Sequence, residues 1–60
     1  MTKTINNLYG EAYNNAIKNV LNIMNETFGT DFFYARDWNK AHDMSEKLNL
    51  KFDENGQLIK

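Results

Sequence analysis

His42 and Glu46 stand four residues apart, the spacing that puts two side chains on one face of a helix. Metal sites use such pairs, but they need further ligands, usually another His or a Cys. The chain has one histidine and no cysteine. The pair therefore reads as a solvated helix face. Asp53-Glu54-Asn55-Gly56 matches part of a calcium-loop pattern. A full loop needs oxygen ligands at alternate positions and a Glu at the twelfth. The spacing here is wrong and too few residues follow, so a solvated turn is the better reading.

Nucleophilic catalysis lacks its parts. Ser45 is the only serine and falls on the expected buried face of a helix, with no His–carboxylate relay around it. Two carboxylates could do acid–base work only in a cleft that excludes water, which a chain of 60 residues seldom shapes. The expectation is a protein that is not an enzyme, with no catalytic residue, no metal ligand set and no cofactor.

The aromatic residues are better supplied. Phe28, Phe33, Trp38 and Phe52 are expected in the core, which a small domain must fill with large side chains. Tyr9, Tyr13, Phe32 and Tyr34 are candidates for a protein interface, where Tyr, Trp and Arg are enriched. Arg36, the only arginine, lies between Tyr34 and Trp38. Tyr34, Arg36 and Trp38 are therefore the candidate partner-binding cluster.

The element that must position much of this is the stretch Thr4–Phe28. It has no proline, and its apolar residues recur every three or four positions, as in an amphipathic helix. Thr2 or Thr4 can cap its start. Gly10 lies inside it, either tolerated in the first turns or marking a notch where another group approaches. Gly29 follows at once, where a left-handed C-cap is expected. The positions Ile5, Tyr9, Ala12, Ala16, Val20, Ile23 and Thr27 step by a mean near 3.67, an eleven-residue rhythm that does not favour a left-handed coiled coil. Placed on a helical wheel, the apolar arc spans about 200°, against the roughly 100° that a surface helix needs. One part, around Ala12, Ala16, Val20 and Ile23, can be covered by the rest of the chain. The other, Tyr13, Ile17, Leu21, Met24 and Phe28, is the expected self-association surface.

The remaining elements follow in order. Gly29-Thr30-Asp31 is a break. The aromatic run 32–35 that follows fits either a buried strand or the first turn of a helix capped by Thr30, which periodicity over four residues does not separate. The segment 31–36 is read as extended or irregular because Arg36-Asp37 restarts helical spacing. Asp37 can cap a second, shorter helix over about 38–48, with Trp38, Ala41, Met44, Ser45 and Leu48 on one face. Asp43 and Lys47 make a favourable i,i+4 pair, and Asn49 can take the left-handed conformation that ends the helix. Asn55-Gly56 is a hairpin signal, which predicts a small hairpin over 49–60 with Leu50, Phe52 and Leu58 on its apolar side. The expected fold is thus α+β and mainly helical: a long N-terminal amphipathic helix over 4–28, a shorter helix and a small C-terminal β-hairpin, in one small domain over 1–60.

Bulk numbers narrow the function. A domain this small buries only about 60% of its unfolded surface, so oligomerisation is a natural source of extra stability once disulfides are excluded. The net charge of −1 gives no general grip on nucleic acid, which needs clustered Lys and Arg. The N-terminus lacks the uninterrupted apolar core of a signal peptide, and no run reaches the roughly 18 apolar residues of a membrane span. A cytoplasmic chain that touches no membrane is expected. Abundant asparagine and the excess of Lys over Arg are what AT-rich genomes encode, including many phage genomes. The favoured function is a non-catalytic interaction module, a self-associating small inhibitor or regulator of phage or mobile-element type that binds a larger host protein. A small DNA-binding transcriptional regulator is the first alternative, since helix, helix and hairpin faintly resemble a winged helix. A structural subunit of a larger assembly is the second.

Overall fold

A computed structural model of the chain describes residues 2–59. A short 3₁₀ turn at Ile5–Asn7 precedes two helices, α1 at Gly10–Phe28 and α2 at Tyr34–Lys47. Tyr13, near the start of α1, has its ring 6.2 Å from that of His42, late in α2. The two helices therefore lie antiparallel across a short connection, as short helix–helix loops dictate.

The helix expected over 4–28 is interrupted. Leu8 and Tyr9 are extended, and Gly10 has φ +61°, in the left-handed region that favours glycine. A Cβ at Gly10 would meet nothing within 4 Å, so the glycine marks a corner and not a notch. The corner has an energetic reason. It lets Ile5 and Leu8 turn inward, where both are buried. Each such burial contributes about 1.5–3 kcal/mol, more than the helix turn that is given up. The 3₁₀ turn is closed by Thr4, whose hydroxyl donates to Asn7 Oδ1 at 2.8 Å.

From Gly10 onward α1 follows its apolar spacing and ends at Gly29, whose φ of +66° makes the left-handed C-cap. The connection to α2 is clamped by one side chain. Asn25 Oδ1 accepts from the Phe32 N–H at 2.8 Å and from the Thr30 hydroxyl at 2.8 Å, and Asn25 Nδ2 donates to the Phe32 carbonyl at 3.0 Å. Asn25 thus pairs with the Phe32 backbone as a neighbouring strand would. α2 begins earlier than the aromatic sequence suggested. Phe32 and Phe33 are outside it, but Tyr34 and Ala35 are already helical. Asp37 then departs from helical geometry at φ −114° and ψ 23°, leaving a kink where a cap was expected. The far end agrees with expectation, since Asn49 has φ +52°.

The C-terminal β-hairpin expected over 49–60 is absent from the described residues, which exclude residue 60. The segment reverses direction but contributes only isolated antiparallel bridges, Lys3 with Phe52 and Phe52 with Leu58. The fold is mainly helical with no sheet, and the β part of the α+β expectation is corrected. Two causes are visible. A type I′ turn needs positive φ at both central residues. Gly56 has φ +83°, but Asn55 is not among the positive-φ residues. The turn is also wider, because the Asp53 carboxylate accepts from the backbone N–H groups of Asn55 and Gln57, each at 2.9 Å. Phe52 meanwhile spends its main chain on the N-terminal segment, exchanging hydrogen bonds of 2.7 and 2.8 Å with Lys3.

The turn docks on α1. Asn15 Nδ2 donates to the Asn55 carbonyl at 3.1 Å, and Asn19 Nδ2 to the Gly56 carbonyl at 2.9 Å. Gly56 lies so close to α1 that a Cβ there would sit 2.1 Å from the Ala12 carbonyl oxygen. The small side chains of Ala12 and Ala16 make that approach possible.

One core results. Ala16, Ile17, Val20, Leu21 and Met24 from α1 meet Ala41 from α2, Phe52 from the tail, and Ile5 and Leu8 from the N-terminal segment. The wide apolar arc of the long helix is covered mostly by its own chain. Among the described residues, no helix is long and apolar enough to cross a membrane.

Candidate functional site

The most distinctive surface is the edge where the connection enters α2, built around Asp37. This carboxylate is buried, only 4% exposed. Its Oδ2 accepts from the Phe33 N–H at 3.0 Å and from Arg36 Nε at 2.8 Å, and Lys40 Nζ stands 3.3 Å from Oδ1. The Phe33 N–H is one of the unsatisfied donors at the helix start, so Asp37 caps from inside the helix what an N-cap side chain usually caps from outside. The backbone hydrogen bond from Phe33 holds the Asp37 carboxyl below its ordinary range, helped by Arg36 and Lys40 and opposed by desolvation.

Asp37 in turn fixes the cations. Arg36 has its Nε on Asp37, its Nη2 on the Asp31 carbonyl at 2.9 Å, and its guanidinium carbon 5.2 Å from the Phe33 ring centre. Lys40 Nζ lies 4.8 Å from the centre of the Phe32 ring. Both are cation–π distances. The Phe33 ring is 55% exposed and Trp38 46%. Around Asp37 the start of α2 therefore offers water the Phe33 ring and two cations, with the arginine held at three points, and Trp38, next to Asp37 in sequence, is exposed as well.

The three sequence candidates divide. Arg36 and Trp38 are both exposed on α2, but the arginine rests on Phe33, outside any Tyr–Arg–Trp stack. Tyr34 is half-buried; its hydroxyl donates to Asn14 Oδ1, and Lys18 Nζ lies 5.7 Å from its ring centre. It braces α2 against α1. Phe33 and Asp37 were missed as site residues. Phe33 looked like core, and nothing in the sequence marks Asp37 as the acceptor for three donors.

The self-association candidates also divide. Ile17, Leu21 and Met24 are buried inside the chain's own core, Tyr13 is half-buried, and Phe28 is 59% exposed. Of the aromatics expected in the core, only Phe52 is buried; Phe28, Phe33 and Trp38 face water.

Elsewhere the chemistry is sparse. His42 Nδ1 lies 3.7 Å from Glu46 Oε1, to which Asn6 Nδ2 donates at 3.2 Å. The described residues hold no group of three or more His, Asp or Glu that could enclose a metal ion. Ser45 is buried and donates to the His42 carbonyl at 2.9 Å. Two small clefts, of about 150 and 230 Å³, open beside the N-terminal segment, one next to Ser45 and Glu46 and the other next to Tyr9 and Glu54. Neither of these two clefts is lined by Phe33, Arg36, Asp37 or Trp38. Comparison of the chain with protein-family models, with curated proteins and with solved structures found no match in any of the three.

Proposed function

We propose that this chain is a non-catalytic protein-interaction module that binds a larger protein through the Phe33–Arg36–Trp38 edge of α2. The observation that carries the reading is Arg36, exposed yet held by Asp37, the Asp31 carbonyl and the Phe33 ring. A surface arginine ordinarily loses side-chain freedom on binding; one already ordered forfeits less. Arginine beside exposed aromatic residues is also the composition of interface hot spots. A small cytoplasmic inhibitor or regulator of phage or mobile-element type fits this surface, because such a protein needs one adhesive face and no chemistry of its own. Self-association belongs to the same reading with Phe28 and Phe33 as the exposed apolar contacts, in place of the buried Ile17, Leu21 and Met24.

The test is affinity capture from a bacterial lysate with mass spectrometry, run in parallel with the folded double variant Arg36→Ala/Trp38→Ala and with Tyr9→Ala, a change at an exposed aromatic away from this edge. The expected result is a partner retained by the native chain and by Tyr9→Ala and lost by the double variant. A partner retained equally by all three places binding elsewhere. The alternative of a DNA-binding regulator predicts salt-steep binding to duplex DNA, and would have to act without the wing that a hairpin was expected to supply.

A further inference from the structure

Asn55-Gly56 is the one Asn-Gly pair in the chain, and it is the sequence most prone to spontaneous backbone-assisted deamidation, because glycine leaves its own amide nitrogen unhindered. We propose that Asn55 is a self-modification site gated by the docking of its turn on α1: closed while the turn is seated, reactive when the tail lifts.

In the reaction the Gly56 nitrogen loses its proton to base and attacks Asn55 Cγ. The Cγ–Nδ2 bond breaks and ammonia leaves, giving a five-membered succinimide. Water then adds to one of the two ring carbonyls. Opening on one side gives Asp at position 55; opening on the other gives an isoaspartyl link with an extra methylene in the main chain. The sum is one water consumed and one ammonia released, with no change of oxidation state.

The seated turn withholds the backbone participants. The Gly56 N–H, which must be deprotonated, donates to the Asp53 carbonyl at 3.0 Å. The Asn55 carbonyl, which must rotate for ring closure, is held by Asn15 at 3.1 Å. The Gly56 carbonyl is held by Asn19 at 2.9 Å. Gly56 itself is buried against the Ala12 carbonyl and cannot shift toward the helix. The Asn55 side chain, by contrast, is exposed, and its amide makes no hydrogen bond among the described residues. The conversion rate is then the intrinsic rate multiplied by the fraction of time the tail is open, the same logic that governs hydrogen exchange through local unfolding. An isoaspartyl link would lengthen the turn between its two asparagine anchors and add a carboxylate beside Asp53 and Glu54, so a tail that reacts by this route reseats less well; the Asp product keeps the main-chain length and adds only the charge.

The test is incubation of the full chain at mildly alkaline pH, with peptide mapping by mass spectrometry for the amide-to-acid mass gain and for the isoaspartyl product. The native chain is compared with the same chain unfolded in urea and with Asn19→Ala, which removes one anchor. Losing one hydrogen bond should raise the open fraction, and with it the rate, about 2- to 10-fold. The urea-unfolded chain should convert faster still, and Asn55→Gln should remove the product. Circular dichroism checks that Asn19→Ala folds; if it does not, Asn15→Ala, which removes the other anchor, gives the same reading. Equal rates in the native and unfolded chains, no acceleration in the folded anchor variant, or product persisting in Asn55→Gln would each overturn the proposal.

Discussion

Asp37 reaches back four residues to hold the backbone N–H of Phe33 at 3.0 Å, and that single bond ties the exposed aromatic ring to the buried acid beneath it. The exposed Phe33–Arg36 edge and the helix cap therefore share one carboxylate, which also accepts from Arg36 Nε at 2.8 Å.

The cap makes stability depend on pH. The folded chain holds the Asp37 carboxyl below its ordinary value of 3.8. A depressed carboxyl contributes stability that is fully present above the unfolded value and is lost as pH falls through the folded one. Urea midpoints should therefore fall on acidification, and should fall less in Asp37→Asn, which keeps an acceptor for Phe33 but carries no charge. Parallel acid profiles in the two chains would show that Asp37 carries none of the dependence.

Gly56 and Gly10 both have positive φ, yet their alanine variants should differ. Gly10→Ala meets open space and should cost about 1 kcal/mol for backbone strain alone. Gly56→Ala adds a Cβ 2.1 Å from the Ala12 carbonyl and should cost about 2–4 kcal/mol. A chain of this length has roughly 3–9 kcal/mol in all, so the second variant should be partly unfolded at room temperature. Thermal melts followed by circular dichroism separate the two.

Asn25 makes three hydrogen bonds to the connection, two of them to Phe32. Asn25→Ala should lower stability by about 1–3 kcal/mol, since it leaves part-buried backbone groups unpaired. Asn22→Ala, one turn earlier and exposed, should stay within about 0.5 kcal/mol of the native chain. Urea denaturation of both variants is the check.

Assembly can be probed without breaking the core. Ile17→Glu places a charge at a fully buried position and should unfold the chain. Phe28→Glu changes an exposed ring and should leave the fold intact, within about 0.5 kcal/mol. If the chain self-associates through its exposed aromatic residues, light scattering will show Phe28→Glu shifted toward monomer. An unchanged particle size would remove Phe28 from any such contact.

Local chemistry was legible in the sequence wherever one residue decides it. Gly29 and Asn49 end their helices in the left-handed conformation, as their types imply, and Asp43 and Lys47 pair at 3.3 Å. What long-range contacts decide was not legible. The periodicity of Thr4–Phe28 runs straight through Gly10, and only the burial of Ile5 and Leu8 says that the chain bends there. Asn55-Gly56 signals a turn correctly, but Asn15 and Asn19, far away in sequence, determine where it sits. The site shows the same division. Arg36 and Trp38 stood out by type, whereas Phe33 became visible only once Asp37 was found beneath it.

The exchange between Lys3 and Phe52 joins the two ends of the chain through a single residue pair. Everything between them, both helices included, lies inside the loop that this pair closes. Closing so long a loop costs entropy that two hydrogen bonds cannot offset alone. The pair therefore depends on the rest of the fold, and on the burial of Ile5 and Phe52 in the shared core, to stay closed.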